Sequence, residues 1–414
     1  MLDSDKLIQR AELLRQQKRW KDAEQQLAIV LQSNPNDVDA LQVLAHCKID
    51  SNHFEEAIQI LLRCLQLDAN SDYNFYLLAF AHYQQNQNTI AKDYLKQAIA
   101  LFPYNDGYFA LQAHILLEEK QYQAALDSAN EGLAINPESL SCLNARSTAL
   151  FRLNKKEEAY ETINEALSID PEDYVTHASY GWHYLEKGKH KEAATHFKES
   201  LRNNPNYEYA KEGYKAALKS KLPFYRWLLQ FNLWMSNQKR SVRVAMIFGV
   251  WIIVRIISSL TSNSPLQMIG IIIVVLYFLI TMMSWLGSAI ANLYLLFTPH
   301  GKYILNNTET WSARFVGLSL LSGLICFFVA VSMQAQLIPI ALLIASLSIP
   351  FTEMEFPIKP FKGKSRTVVT HILLLLAILT IISSTFSIQL ATLFGVLYAI
   401  FFLGFMWVGS ASGF

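Results

Sequence analysis

The sequence predicts an all-α protein in two parts: a stack of helix pairs, then a bundle of apolar helices. Three observations carry that expectation. Small, apolar and proline positions recur every 34 residues through the first half of the 414-residue chain. Charge is partitioned: residues 1–220 hold 31 of the 34 acidic and 23 of the 35 basic residues, a net of −8, and residues 221–414 hold 3 and 12, a net of +9. The second half also contains three long runs without Asp, Glu, Lys or Arg. This partition excludes a single soluble domain, a disordered chain, a collagen-like or disulfide-stapled scaffold, and a nucleic-acid binder built on net basicity.

The repeat array comes first. Prolines stand at Pro35, Pro103, Pro137, Pro171 and Pro205, with Ala69 in the missing slot. Alanines keep the same 34-residue step at Ala23, Ala57, Ala91, Ala125, Ala159 and Ala193. A third ladder runs Leu7, Leu41, Phe75, Phe109 and Leu143, and ends at the polar His177. Six such units reach from Ser4 to Tyr207. In the sixth, His177–Leu185 has helical spacing, Lys187–Lys189 makes a turn, and Glu192–Leu201 is a second amphipathic helix that stops before Asn204-Pro205. The proline, with the residue before it pushed out of the α region, separates one unit from the next.

On these residues the array resembles tetratricopeptide (TPR) repeats, and the sixth unit matches best through Gly181, Tyr184, Ala193, Phe197 and Pro205. Leu14 and Lys48 replace the usual aromatic residue in the first two units. The resemblance implies an α-solenoid of about six repeats, and the segment Tyr209–Leu218 reads as its capping helix. It also implies a concave face lined by the first helix of each unit. Groove-facing positions would include Gln42, His46, Tyr73, Tyr76, Tyr83, His114, Asn144 and Trp182, each able either to pack on its neighbours or to contact a ligand. Such a lining suits an extended peptide or a partner helix. The Lys/Asn/Lys/Arg set that grips chaperone tails is replaced by Ile8, Glu12, Val43, Tyr73 and Leu77, which disfavours that ligand.

Lys221–Met235 places Phe224, Trp227, Leu228, Phe231, Trp234 and Met235 at helical spacing, as expected of an amphipathic linker helix (residues 221–240) lying in a membrane interface or packing on the last repeat. The charge-free runs Ile256–Pro299, Phe315–Thr352 and Thr367–Phe414 are 44, 38 and 48 residues long. A span needs ~20 apolar residues, so each run is two spans with a polar turn between them. Six helices are expected in a 241–414 membrane domain: about 244–260, 267–296, 314–333, 337–351, 368–384 and 388–408. Lys239, Arg240, Arg243, Lys302, Arg314, Lys359, Lys362, Lys364 and Arg366 all fall in alternate connections. The positive-inside rule then places the 1–220 repeat domain and both termini in the cytoplasm. The Gly287xxxAla291 pair would allow close helix contact.

Chemistry is sparse. At membrane depth the ionisable candidates are Arg255 and His371: Arg255 either snorkels outward, or lines a cavity or binds a lipid head group, and His371 lies near the cytoplasmic edge. There is no GxSxG, HExxH, P-loop or GxGxxG motif, and His177, His183 and His190 fall on different faces of their repeat. No catalytic residue, metal site or cofactor is therefore expected. Four scattered cysteines read as buried apolar residues. His300–Arg314, with Glu309 beside Trp311, reads as a solvated connector or a substrate loop. The resulting expectation is a multi-pass membrane protein of a bacterial inner membrane, a TPR scaffold that binds a protein or peptide partner and contacts the lipid bilayer but no nucleic acid. The alternative is a transporter or membrane enzyme regulated by its TPR domain.

Overall fold

The computed structural model describes residues 4–236, 238, 242, 245, 249, 252, 256, 267–298, 301, 304–333, 337–352 and 365–411. Every regular element among them is helical. The chain forms two compact units, residues 1–179 and 180–414.

The first unit contains five helix pairs and the start of a sixth. These are α1 (Ser4–Gln16) with α2 (Trp20–Ser33), α3 (Val38–Asp50) with α4 (Phe54–Leu67), α5 (Asp72–Gln84) with α6 (Asn88–Leu101), α7 (Asp106–Glu118) with α8 (Tyr122–Ile135), and α9 (Leu140–Arg152) with α10 (Lys156–Ile169). The alanine ladder explains why the helices approach so closely: Ala23, Ala57, Ala91, Ala125 and Ala159 are completely buried. A second small-residue ladder on the first helices, Ala11, Ala45, Ala79, Ala113 and Ser147, is equally buried. A larger side chain at either ladder would force the helices apart.

Both ends of each first helix are specified locally. Asp37, Ser71, Asn105, Ser139 and Asp173, again 34 apart, cap the N-termini by accepting bonds from backbone amides of the first turn. At the other end, Lys18, Asn52, Asn86, Lys120 and Asn154 take φ between 60° and 64°. That left-handed residue lets the next amide reach back five residues, as His53 N–H does to the Lys48 carbonyl at 2.8 Å, and so closes the helix.

The second unit begins inside α11 (Tyr174–Glu186) and continues through α12 (His190–Asn203), α13 (Glu208–Lys219) and α14 (Pro223–Ser236). Its turn residue is Gly188, with φ 75°, and the Gln230 side-chain amide of α14 fills the space that a Cβ there would occupy. The segments expected to cap the array and to link it onward are helical over α13 and α14.

Among the described residues, five apolar helical segments follow in this unit: α15 (Gln267–Leu296), α16 (Asn307–Met333), α17 (Ile338–Ser346) with α18 (Ser348–Phe351), α19 (Ser365–Ser383) and α20 (Ile388–Ala411). Their core gathers Leu286, Val316, Ile349, Phe351, Leu373 and Tyr398. Two stretches among the described residues, Asn307–Ser332 and Ile388–Phe405, are long and apolar enough to cross a membrane. Most of the expected first apolar helix, Arg255 included, lies outside the described residues.

The expected 337–351 helix is two pieces. Pro350 lacks the N–H that would bond the Ser346 carbonyl, and the helix breaks at Leu347. Hydroxyls from neighbouring helices bond carbonyls around the break: Ser319 the Ile344 carbonyl at 2.6 Å, Ser312 the Phe351 carbonyl at 2.9 Å, and Thr370 the Pro350 carbonyl at 3.3 Å. The Ser319–Ile344 and Ser312–Phe351 bonds also fix the direction of the chain. α17 and α18 run antiparallel to α16, so that Phe351 returns beside Ser312.

Candidate functional site

The first helices of the repeats bring several of the anticipated residues together. Each helix repeats its register after 34 residues, so a side chain on one helix meets a neighbour about 27 to 36 residues away. His46 on α3 meets Tyr73 on α5, ring nitrogen to hydroxyl at 2.9 Å and ring centres at 5.6 Å. Tyr73 stacks on Tyr76 at 6.1 Å, and Tyr76 stacks on Tyr108 of α7 at 5.0 Å. The Tyr108 hydroxyl donates to Asp72 at 2.6 Å. Gln42 donates to Asn74 at 2.9 Å, and Tyr83 to Glu118 at 2.8 Å. A row of four rings therefore crosses three consecutive repeats.

These contacts serve two purposes. They tie successive repeats by hydrogen bonds, and they leave a graded surface: Tyr73 is 37% exposed, whereas Tyr108 is 1% exposed. His46, Gln42, Tyr76, Tyr83 and His114 are half-buried. Burial pushes the imidazoles of His46 and His114 below the usual histidine range and the phenols of Tyr73 and Tyr76 above the usual tyrosine range. Rings with hydroxyl and amide groups suit stacking and hydrogen bonding. At the edge of the row, Arg15 bridges Glu12 and Asp50, at 2.6 and 2.5 Å.

The other anticipated residues lie elsewhere. Asn144 is 5% exposed, and its amide donates to Asp173 at 3.3 Å, so a ligand would meet its neighbours first. Trp182 belongs to the second unit, where its indole N–H points to the Tyr209 carbonyl at 3.4 Å and its ring packs edge-on to Phe197. His371 is half-buried in α19. Among the described residues no group of three His, Cys, Asp or Glu side chains could hold a metal ion. Burial pushes the thiols of Cys47 and Cys64 up to about 11, which makes them poor nucleophiles.

Sequence reasoning missed Tyr108, Asp72 and Asn74. Asn74 and Tyr108 share one 34-residue register with Ala40, Cys142 and Thr176, all of them buried, whereas Asp72 stands outside it. It also missed a charged cluster in the second unit. Lys215 bonds Glu212 and Glu309, at 2.5 and 2.9 Å, and Lys219 donates to Ser288 at 3.3 Å. Glu309, expected in a solvated connector, instead sits in the first turn of α16 and also accepts from the Asn306 amide.

Residues 14–74, 73–103 and 144–208 match family models described as tetratricopeptide repeat. No curated protein matches this chain. Among solved structures, the chain is similar to the APC/C hetero-tetramer Cut9-Hcn1, with 19% identity over 52% of this chain and 43% of that chain, at a TM-score of 0.46. It thus spans less than half the length of the chain it matches there. It is also similar to pilF of Pseudomonas aeruginosa, with 17% identity over 50% of this chain and 95% of that chain, at a TM-score of 0.42. A third is YrrB, described as a TPR protein with an unusual peptide-binding site, with 17% identity over 46% and 97% of the two chains and a TM-score of 0.33.

Proposed function

We propose that this tetratricopeptide-repeat protein is an integral-membrane scaffold that holds a protein or peptide partner on the first-helix face of its repeats. The observation that carries the reading is the ring row His46–Tyr73–Tyr76–Tyr108, which crosses three repeats and leaves Tyr73 open to solvent. Aromatic anchors beside hydrogen-bonding groups concentrate binding energy, and tethering to a membrane raises the effective concentration of a partner. Residues 1–220 would dock the partner, 221–240 would lie at the interface, and 241–414 would anchor the chain through six spans in a bacterial inner membrane.

Two observations support cytoplasmic termini. Lys and Arg residues outside the spans occupy alternate connections only, and α18 returns beside the start of α16, so the segments bearing Arg314 and Arg366 adjoin the same end. The test is affinity capture from membranes with the intact protein and with a Tyr73→Ala, Tyr76→Ala variant. Captured partners should fall at least tenfold in the variant while helicity and membrane insertion stay unchanged. Equal capture by both proteins would overturn the groove reading.

A second reading, a transporter or membrane enzyme regulated by its repeats, is favoured by the broken helix at Leu347. Interrupted helices that expose backbone carbonyls are where transporters bind substrate. Here the carbonyls of Ile344, Pro350 and Phe351 are already bonded by hydroxyls, which favours the scaffold.

A further inference from the structure

We propose that the outward face of α14 is a bilayer-docking surface. Trp227, Phe231 and Trp234 would lie in the interfacial zone of a phospholipid leaflet and hold the last repeat turn and the capping helix at the membrane surface. The proposal rests on the membrane reading above and names the face and its occupant.

Spacing of four and three residues puts the three rings on one side of the helix. They are 53%, 40% and 50% exposed, and they form a row with ring centres 5.7 and 6.0 Å apart. The other sides of α14 are taken. Leu228, 6% exposed, fills the notch left by Gly287 of α15, and Gln230 fills the space beside Gly188 of the repeat turn. Tyr225 is buried beneath the Lys219 ammonium of α13 at 5.7 Å. The aromatic row is thus presented by a helix pinned on two sides.

Area decides the occupant. An aromatic side chain buries 150–250 Å², so three half-exposed rings offer about 300 Å². A stable protein interface needs roughly 800 Å² per partner, which this row does not supply. A leaflet boundary needs no such area from one helix, and it meets both demands of an indole, an apolar surround for the ring and a polar partner for the N–H. The same unit also carries an exposed apolar helix face. Lys215 of α13 holds Glu309 at the start of α16, and two residues later exposed Trp311 lies under Arg314, at 5.0 Å from ring to guanidinium. Beyond Arg314 the same helix turns Leu318, Leu321 and Leu324 outward.

Nitroxide accessibility in phospholipid nanodiscs tests the proposal on the full chain, with Cys47, Cys64, Cys142 and Cys326 replaced by alanine. Labels would be placed one at a time through Phe231→Cys and Trp234→Cys, so that either position serves if the other fails to fold. Leu324→Cys is the lipid reference, and Tyr104→Cys, at a residue 72% exposed, is the aqueous reference. The row labels should collide with a soluble nickel chelate several-fold less than the Tyr104 label, and with oxygen less than the Leu324 label. Chelate access equal to that at Tyr104, with Leu324 in lipid, overturns this proposal and leaves the membrane reading standing. Leu324 as wet as Tyr104 removes the membrane reading itself. Dipolar broadening between labels at 231 would identify a second copy as the occupant and also overturn the proposal.

Discussion

The ring of Phe197 lies against Gly213, filling the space where a Cβ on that residue would stand. Phe197 is completely buried, with Gly181 of α11 on another side and Trp182 packed edge-on at 5.7 Å. The last repeat and its capping helix thus meet through one aromatic ring held between two glycines.

Helix propensity alone says that Gly213→Ala should stabilise α13 by about 1 kcal/mol. Packing says the opposite, because the ring has no free side to move into, and overpacking costs roughly 1–3 kcal/mol. The expected outcome is a lower thermal midpoint, partly restored when Phe197→Leu is added. Thermal unfolding followed by circular dichroism gives the answer, and a higher midpoint for Gly213→Ala would refute the packing argument.

Ala125→Phe should destabilise the first unit by roughly 1–3 kcal/mol, since Ala125 is completely buried among Leu126, Ala149 and Leu150. Replacing Glu131, on the same helix and exposed, by Phe should change stability by less than ~0.5 kcal/mol. Denaturant midpoints of the two variants measure the contrast. Similar shifts would show that the alanine ladder does not set the helix spacing.

Lys219 should contribute increasing stability to the folded protein as pH rises from about 8 toward 10.5. Burial lowers the Lys219 ammonium from 10.5 to about 8, with Lys215 adding repulsion and Glu309 and Glu212 opposing it. Between those values the unfolded chain holds a proton that the folded chain lacks, so deprotonation favours folding, and below about 8 the contribution is flat. Lys215 behaves differently: burial pulls its pKa down, but its bonds to Glu212 and Glu309 more than offset this and leave it raised. Across pH 7, 8.5 and 9.5 the thermal midpoint of the intact protein should shift upward relative to that of Lys219→Met. A slope unchanged by Lys219→Met would assign it to another group.

For the membrane reading, a reporter active only in the cytoplasm should work when fused at Gly363 or at the C-terminus and stay silent at Ser262. The expectation follows from the confinement of Lys and Arg outside the spans to alternate connections. Activity at Ser262, or silence at Gly363, would reject six spans with both termini inside.

The repeat is legible in the amino-acid order alone, because a helix pair that must stack on a copy of itself needs the same small residue at the same place each time. Ala23 through Ala193 wrote that requirement at 34-residue intervals, and each proved fully buried. Among the described residues the other long apolar helices were legible too, since length, hydropathy and polar turns are local properties, but the break at Leu347 was not. Which groove residues meet is a matter of packing between helices. Tyr73 and His46 are 27 residues apart, and whether a tyrosine points to solvent or bonds a neighbouring helix depends on packing that no local pattern encodes. The same holds for Lys215 and Glu309, 94 residues apart, whose pairing turned an expected loop carboxylate into a buried-lysine partner. A single chain carries no record of such long-range pairs, because each partner is locally unremarkable and only their juxtaposition lowers the free energy.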